Sequence, residues 1–323
     1  MKFKIKTTLC ASLLCLSGLA QAAYPSKNIT LVVPFPPGGG TDILGRLLAK
    51  EIGEKLNANV IVENKPGAAG NIGSSYVAKS KPDGHTLLVA TTAQTISAAL
   101  YKKPIYNLSK DLVAVSGINE VPLMMITRKN FGAKNINEFI DLAKKNPGKI
   151  TFASPGYGTS AHMAGEVLSL AAGIKILHVP YQGAAPVLND LMGGQVDVTF
   201  DLLTTAKGYF TEKKVDAIGM TTLNRTRLMP EVSTLSEQNK ESLGKFNEFA
   251  WNVLMAPSGT PSEVINKLNE TMKNILSTES VIKKLEDIGS TPMWLSPADS
   301  QSFIKNDIEK WMSIQKNANL DKI

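Results

Sequence analysis

The sequence predicts an α/β protein built from two units of alternating strands and helices. Short β-branched runs alternate with segments whose apolar residues recur at helical spacing, over residues 29–90 and again over residues 150–220. The chain of 323 residues also exceeds the size at which a single hydrophobic core usually stops growing, about 250–300 residues. Strand–helix–strand repetition favours mainly parallel sheets that are covered by helices.

The amino-terminal segment, residues 1–22, has the pattern of a secretory signal peptide. Three lysines precede the apolar stretch 9–19, and small residues then allow cleavage after Ala22. The apolar stretch is shorter than the roughly 20 residues that span a bilayer. A buried amino-terminal helix is the alternative. The signal predicts that the mature protein lies in the periplasm.

Cleavage changes the charge and the cysteine count. Loss of the three lysines lowers the formal net charge from +7 to +4. Cys10 and Cys15 are removed as well, so disulfides, thiol catalysis and Cys-ligated zinc are excluded for the mature chain. Hydrophobic residues make up 43% of the sequence, which excludes disordered and fibrous classes. No block of Lys and Arg supports nucleic-acid binding.

The predicted elements follow the chain in two runs separated by a turn at residues 146–148. In the first run we predict strands at Ile29–Val33, Val60–Val62 and Thr86–Ala90, and helices from Thr41 and from near Asn71. In the second run we predict strands at Ile150–Ala153, Ile176–Val179, Val196–Phe200 and Val215–Met220, and helices at Ser160–Ala172, Ala185–Met192 and near Thr205. The boundary between the units falls within residues 117–126, and the tail from Pro261 is helical.

Two glycine-rich loops lie between a strand and a helix. The first, residues 34–42, contains Gly38-Gly39-Gly40, which allows the backbone to approach a ligand where the helix start presents unpaired N–H groups. It matches neither a dinucleotide-binding loop, because Ile43 stands where the third glycine would, nor a P-loop. Capping of the helix by Thr41 or Asp42 is the alternative to anion binding.

The second loop, residues 154–162, offers Gly158, Thr159 and Ser160 at the start of the next unit's helix. Capping by Thr159 or Ser160 is again the alternative, and it is compatible with binding. If the two units face each other, both helix starts converge on one ligand.

An enzyme is not predicted, and neither is a cofactor or a metal site. Of the three histidines, only His162 is close to a candidate loop, near Ser160. Ser160 does not stand in a Gly-x-Ser-x-Gly elbow, and no acid is placed to orient a base. A periplasmic hydrolase using Ser160 and His162 therefore remains only as an alternative.

The motifs of the chain resemble one known family over essentially the whole mature sequence. Residues 34–42 and Glu63–Gly73 resemble the substrate-binding proteins of tripartite tricarboxylate transporters, also called the Bug family of periplasmic receptors. Further similar segments follow in order at Lys81–Leu88, Val179–Pro186, Asp190–Asp197, Arg225–Pro230 and Ala256–Pro261. His85 replaces the aromatic residue that is usual at its position.

The resemblance implies a type II periplasmic binding protein fold, with two α/β lobes around a ligand cleft and two crossover strands. Lobe 1 would comprise residues 23–123 and 248–323, and lobe 2 residues 124–247. A ligand carboxylate would be held by backbone N–H groups from loops of both lobes. The implied binding residues are Phe35, Gly38, Gly39, Gly40, Thr41, Asp42, Ala69, Gly70, Thr92, Gln94, Ser154, Gly158, Thr159, Ser160, His162, Tyr181 and Asp201. Core or hinge packing is the alternative for Phe35 and Tyr181.

The resemblance also implies that hinge closure traps the ligand and that the closed form docks onto the large and small membrane subunits of a transporter. Presentation of the carboxylate to a membrane sensor kinase is an alternative with the same site. A monomer is predicted. The implied cleft holds Asp42 and Asp201 but no assured Arg or Lys, which favours a mono- or dicarboxylate over a tricarboxylate.

Overall fold

The computed structural model describes residues 24–317 and residue 322. The predicted signal peptide, its cleavage after Ala22 and both cysteines lie outside the described residues. Within the described part of the chain, no helix is both long enough and apolar enough to cross a membrane.

The described residues form strands and helices in the order that the two predicted runs require. The strands are β1 (Ile29–Val33), β2 (Val60–Asn64), β3 (Thr86–Thr91), β4 (Leu112–Thr127), β5 (Thr151–Ser154), β6 (Leu177–Pro180), β7 (Val198–Leu202), β8 (Asp216–Met220), β9 (Phe249–Pro257) and β10 (Thr291–Pro292). The helices are α1 (Gly40–Leu56), α2 (Asn71–Ala78), α3 (Thr92–Leu100), α4 (Leu108–Asp111), α5 (Ile136–Lys145), α6 (Ser160–Ala172), α7 (Ala184–Met192), α8 (Leu203–Thr211), α9 (Leu235–Gln238), α10 (Lys240–Leu243), α11 (Ser262–Leu276), α12 (Glu279–Asp287) and α13 (Pro297–Asn317).

The strands form two mixed sheets, each of which defines a lobe. In lobe 1 the order is β2-β1-β3-β9-β4, with β1 parallel to β2 and β3, and with β9 antiparallel to both of its neighbours. In lobe 2 the order is β4-β7-β5-β6, with β5 parallel to β6 and β7, and with β7 and β8 antiparallel to β4. The predicted strands β1, β2 and β3, and likewise β5, β6 and β7, pair in parallel. The expectation of mainly parallel sheets was nevertheless wrong, because β4 and β9 pair antiparallel with their neighbours.

Two connections join the lobes. Strand β4 belongs to both sheets: it pairs with β9 up to Pro122 and with β7 from Leu123 onward. The chain returns just before β9, where the Glu248 N–H donates to the Thr221 carbonyl at 2.9 Å. This arrangement agrees with the two crossover strands that the resemblance implied, while the boundaries at residues 123 and 247 stay a prediction.

Each lobe has its own apolar core. In lobe 1, Leu31 and Val33 of β1 pack with Leu44, Leu48 and Ile52 of α1. These α1 residues recur at spacings of four, so one helix face covers the sheet. In lobe 2, Phe139 of α5, Phe152 of β5 and Phe200 of β7 belong to one buried apolar cluster, whose other members are mostly aliphatic. Helices α11 and α13 of the carboxyl-terminal tail contact β4, and α13 also packs on α3.

Candidate functional site

A cleft lies between the lobes and contains a cavity of about 120 Å³. Its wall is formed by strand ends and helix starts from both lobes and by the two crossover strands. Lobe 1 contributes residues 35–37, 39–41 and 91–93. Lobe 2 contributes Pro155, Thr204, Thr205 and residues 159–161, 182–186 and 200–202. The crossover strands contribute Asn119, Val121 and residues 250–252.

Five helices begin at this wall: α1 and α3 from lobe 1, and α6, α7 and α8 from lobe 2. Within the described part of the chain, no side chain caps the amino terminus of α1, α7 or α8. The first N–H groups of a helix have no partner inside the helix, and the helix dipole makes that end partly positive. The wall therefore presents several positive helix ends to whatever occupies the cleft.

The amino termini of α1 and α6 have backbone donors available for a ligand. The N–H groups of Gly40 and Thr41 in α1, and of Ser160 and Ala161 in α6, have no acceptor among residues 24–317. All four residues line the cleft. Oriented N–H groups at helix starts are a common binding arrangement for carboxylate and phosphate anions.

The carboxylate of Asp42 fixes the first loop and does not face the cleft. It accepts from the Gly38 N–H at 3.0 Å, from Arg46 Nε at 3.0 Å and from Asn64 Nδ2 at 2.9 Å. Burial acts to raise the pKa of Asp42, but these hydrogen bonds outweigh it and hold the pKa below its usual value. Asn64 also donates to the Phe35 carbonyl, so Asp42 and Asn64 together set the path of the loop. Gly38 likewise lies off the wall.

The second loop is fixed by a cap and by a histidine. Thr159 caps α6, because its hydroxyl accepts from the His162 N–H at 3.3 Å, as the capping alternative anticipated. The Gly158 N–H donates to His162 Nδ1 at 3.2 Å, so neither Gly158 nor His162 lies on the wall. Because Nδ1 accepts this bond, the neutral ring carries its proton on Nε2, which lies 3.6 Å from Glu166. Neither ring nitrogen is then available to take a proton from Ser160, as a hydrolase would require.

The buried His162 is packed against the half-buried His178, with ring centroids 4.2 Å apart. Burial and the neighbouring His178 lower the pKa of His162 to about 3, and burial lowers the pKa of His178 to about 4. Nε2 of His178 lies 2.7 Å from Ser154 Oγ, which also bonds to Gly156. Ser154 therefore stabilises the second loop on the side away from the cleft and does not line the cleft.

Four other predicted residues also lie off the wall, because their groups are used elsewhere. Gln94 Oε1 accepts from the Thr91 N–H at 2.6 Å, and its Nε2 donates to the Ala69 carbonyl at 3.3 Å, which ties the turn at residues 68–70 to α3. Gly70 belongs to this turn. The Tyr181 hydroxyl donates to Asp190 Oδ2 at 2.6 Å and so is directed toward α7.

Eight predicted residues are brought together at the wall of the cleft, namely Phe35, Gly39, Gly40, Thr41, Thr92, Thr159, Ser160 and Asp201. Asp201 is the one ionisable side chain among the described residues of this wall, which includes no Lys, Arg or His. Burial raises the pKa of Asp201 to about 6, although the Thr205 hydroxyl donates to it at 2.5 Å. Among the described residues, no three His, Cys, Asp or Glu side chains are grouped to hold a metal ion.

Sequence reasoning missed the α7 start and the polar residues of the crossover strands. Gly183 lies between the end of β6 at Pro180 and the start of α7, and a glycine between a strand and a helix is the same signal that identified the other two loops. Asn119 and Asn252 are polar residues within otherwise apolar strands, and they stand opposite each other in the β4–β9 ladder. A polar side chain inside a buried strand is the signal that could have found them.

The two lobes are in contact across the cleft. A Cβ on Gly40 would overlap Thr204 Oγ1 on α8, and a Cβ on Gly183 would lie 3.3 Å from Pro36. Below the cleft, Met163 of α6 packs with Ile96 of α3 in a buried apolar cluster. Lobe 1 and lobe 2 are therefore in contact at the first loop and, beneath the cleft, at α6.

Two α/β lobes joined by two strands, with helix amino termini converging on the cleft, define a solute-binding protein of the periplasmic type. The family model described as "Tripartite tricarboxylate transporter family receptor" matches residues 44–320. The chain therefore belongs to this family, which is also that of the Bug proteins. Members of this family are substrate-binding receptors and not enzymes.

Solved structures agree with this assignment. The periplasmic binding protein BugD is 33% identical with a TM-score of 0.87, over 93% of this chain and 100% of that chain. R. palustris Rpa4515 with adipate is 31% identical with a TM-score of 0.87, over 92% and 98%. MatC of Rhodopseudomonas palustris with bound malate is 30% identical with a TM-score of 0.84, over 90% and 99%.

Proposed function

We propose that this protein binds a small carboxylate in the cleft between its lobes and delivers it to the large and small membrane subunits of a tripartite tricarboxylate transporter. The observation that carries this proposal is the set of partnerless N–H groups at the starts of α1 and α6. Export by the signal peptide would bring the protein to the periplasm, where both the ligand and the transporter are accessible.

Helix ends replace side-chain cations in this binding site. Its wall includes no Lys or Arg among the described residues, so the positive potential comes from the amino termini of α1, α6, α7 and α8. Backbone donors that are fixed by Asp42 on one side and by Thr159 on the other need little reorganisation to receive a carboxylate. The residues proposed to contact the ligand are the eight predicted ones at the wall, joined by Ala161 and the start of α7.

Closure couples binding to delivery. A carboxylate that bridges α1 of lobe 1 and α6 of lobe 2 gains donors from the second lobe only when the lobes meet, so the ligand shifts the population toward the closed form. The proposed lobes are residues 23–123 with 248–323, and residues 124–247. Membrane subunits that recognise the closed form would then distinguish loaded from empty protein.

The charge of the cleft wall and the ligands of the solved relatives favour one chemical class of ligand. Asp201 adds a carboxyl to a wall without cations, which disfavours ligands with three negative charges. The relatives solved with adipate and with malate hold dicarboxylates. We therefore propose a dicarboxylate in preference to citrate.

A thermal-shift panel tests the binding function. A ligand at 100 times its dissociation constant stabilises a protein by about 2.7 kcal/mol, which is readily measured. Succinate, glutarate, adipate or malate should raise Tm, citrate should do so less, and the ligand should be recovered unchanged. No shift with any carboxylate, or a larger shift with citrate than with every dicarboxylate, would contradict the proposal.

Delivery is tested separately by mixing loaded protein with membranes that contain the transporter subunits. Co-purification with those subunits, dependent on ligand, is the expected result. Co-purification with a sensor kinase in their place would assign the same binding site to signalling.

A further inference from the structure

Asn119 carries a buried amide without a hydrogen-bond partner among residues 24–317. Only 1% of the residue is exposed, and neither Oδ1 nor Nδ2 has a hydrogen-bond partner among the described residues. Buried polar groups are nearly always satisfied, because an unpaired one loses its hydration without replacement. Asn119 lines the cleft from the crossover strand β4, so the group that satisfies its amide can come from the ligand.

Its neighbour across the ladder does not share this property. Asn252 stands opposite Asn119 on β9 and also lines the cleft, but its Nδ2 donates to the Ala90 carbonyl at 3.4 Å. The two amides occupy the same face of the sheet in matched positions, and only the one on β4 has both polar atoms unpaired. This contrast indicates that the unpaired amide is specific to Asn119 and is not a general feature of the hinge.

The hydrogen-bonding capacity of the amide restricts what it can recognise. Nδ2 donates and Oδ1 accepts, so a single ligand group satisfies both only if it accepts and donates. A carboxylate only accepts, and an ammonium only donates. An alcohol hydroxyl does both, and it is small enough for a cavity of about 120 Å³.

We infer that Asn119 binds a hydroxyl group of the ligand, so that the protein selects hydroxy acids over the corresponding plain carboxylates. This inference rests on the proposed carboxylate-binding function and names the second group that the cleft recognises. A site built to hydrogen-bond a hydroxyl discriminates against the analogue that lacks it, because the protein group is then left buried and unpaired.

Matched ligand pairs test the inference by calorimetry on the purified protein. The pairs are succinate with malate, and glutarate with 2-hydroxyglutarate and 3-hydroxyglutarate. We expect at least one hydroxy acid to bind about tenfold more tightly than its parent. In Asn119→Leu this ratio should fall to about one, because neither the hydroxy acid nor its parent then meets the amide.

Stability and a control variant separate recognition from a structural role. Asn119→Leu should not lower the Tm of the ligand-free protein, because the amide has no partner to lose. The control is Asn269→Leu, which removes a buried amide that does not line the cleft and that donates to the carbonyls of Val115 and Leu295. Asn269→Leu should lower the Tm but keep the hydroxyl preference. The inference is overturned if Asn119→Leu has a lower Tm than the wild type, or if the wild type shows no preference for hydroxy acids. It is also overturned if both variants lose this preference or if both keep it. Failure of every carboxylate to bind would instead overturn the proposed function.

Discussion

Among the glycines that line the cleft, Gly40 has the tightest contact with the opposite lobe, so it is where the proposed closure leaves the least space. A Cβ at this position would overlap Thr204 Oγ1 of the opposite lobe and would lie 3.2 Å from Thr204 Cβ and 3.3 Å from Leu202 Cδ1. Gly40 is the first residue of α1, and alanine is a better helix former than glycine, so Gly40→Ala should leave lobe 1 folded. The added methyl group therefore opposes closure and leaves the Tm of the ligand-free protein nearly unchanged.

The magnitude follows from the cost of overpacking. Inserting a methyl group into a close-packed contact costs typically about 1–3 kcal/mol. If closure bears this cost, the dissociation constant for succinate or malate should rise roughly 5- to 150-fold, because about 1.4 kcal/mol corresponds to a factor of ten. Calorimetric titration of wild type and Gly40→Ala measures this change directly.

A second substitution shows whether contact with Thr204 is the cause. Thr204→Ala removes the overlapping oxygen, so Gly40→Ala should weaken binding less in the Thr204→Ala background than in the wild type. The recovery is expected to be partial, because the contacts at 3.2 and 3.3 Å remain tight. Unchanged affinity in folded Gly40→Ala, or the same loss in both backgrounds, would refute the reasoning.

Three further predictions concern titration and the support of the loops. Burial raises the pKa of Asp201 to about 6, so the fraction of neutral carboxyl grows as pH falls from about 7.5 to 6.5 and repulsion of the anion weakens. Affinity for succinate should therefore increase over this range in calorimetric titrations, and Asp201→Asn should reduce the increase. Weaker binding at pH 6.5 than at 7.5 would contradict this role of Asp201. The pKa of His162 is lowered from 6.5 to about 3, so between these pH values the unfolded chain binds more protons than the folded protein does. The free energy of unfolding should therefore fall as pH drops through this window, and His162→Gln should reduce its dependence on pH in urea unfolding series. The same pH dependence in wild type and variant would argue against this role of His162. Asp42→Ala should lower the free energy of unfolding by about 1–3 kcal/mol and weaken carboxylate binding, because the Gly38 N–H and Arg46 lose their acceptor. A Tm and a carboxylate affinity that both equal those of the wild type would exclude this supporting role of Asp42.

Local pattern was enough to find the elements that flank the cleft. The β-branched run Ile29–Val33 and the helix Ser160–Ala172 have the predicted bounds, because their periodicity and their flanking glycines are local signals. The resemblance implied two crossover strands, but no local pattern predicted the bounds of β4 and β9. Strand β4 contains Ser116 and Gly117 within its apolar run and reads as irregular, and β9 pairs with β3 across about 160 residues of sequence, which no local pattern reveals.

The binding site was predictable in its backbone but not in its side chains. Glycine before a helix located the starts of α1 and α6, since a helix amino terminus without side-chain obstruction has a sequence signature. Which way a polar side chain turns depends on tertiary partners. Asp42 meets Asn64, His162 meets Gly158, and Tyr181 meets Asp190, so each turns away from the cleft. Asn119 faces the cleft because the β4–β9 register places it there.

The most direct test of carboxylate capture is an amide-resolved NMR titration with a dicarboxylate such as succinate or malate. If the helix amino termini bind the ligand, the backbone amide protons of Gly40, Thr41, Ser160 and Ala161 should shift strongly downfield together and saturate at one dissociation constant. Binding that leaves these four amide signals unmoved would show that the carboxylate lies elsewhere and would contradict the proposed site.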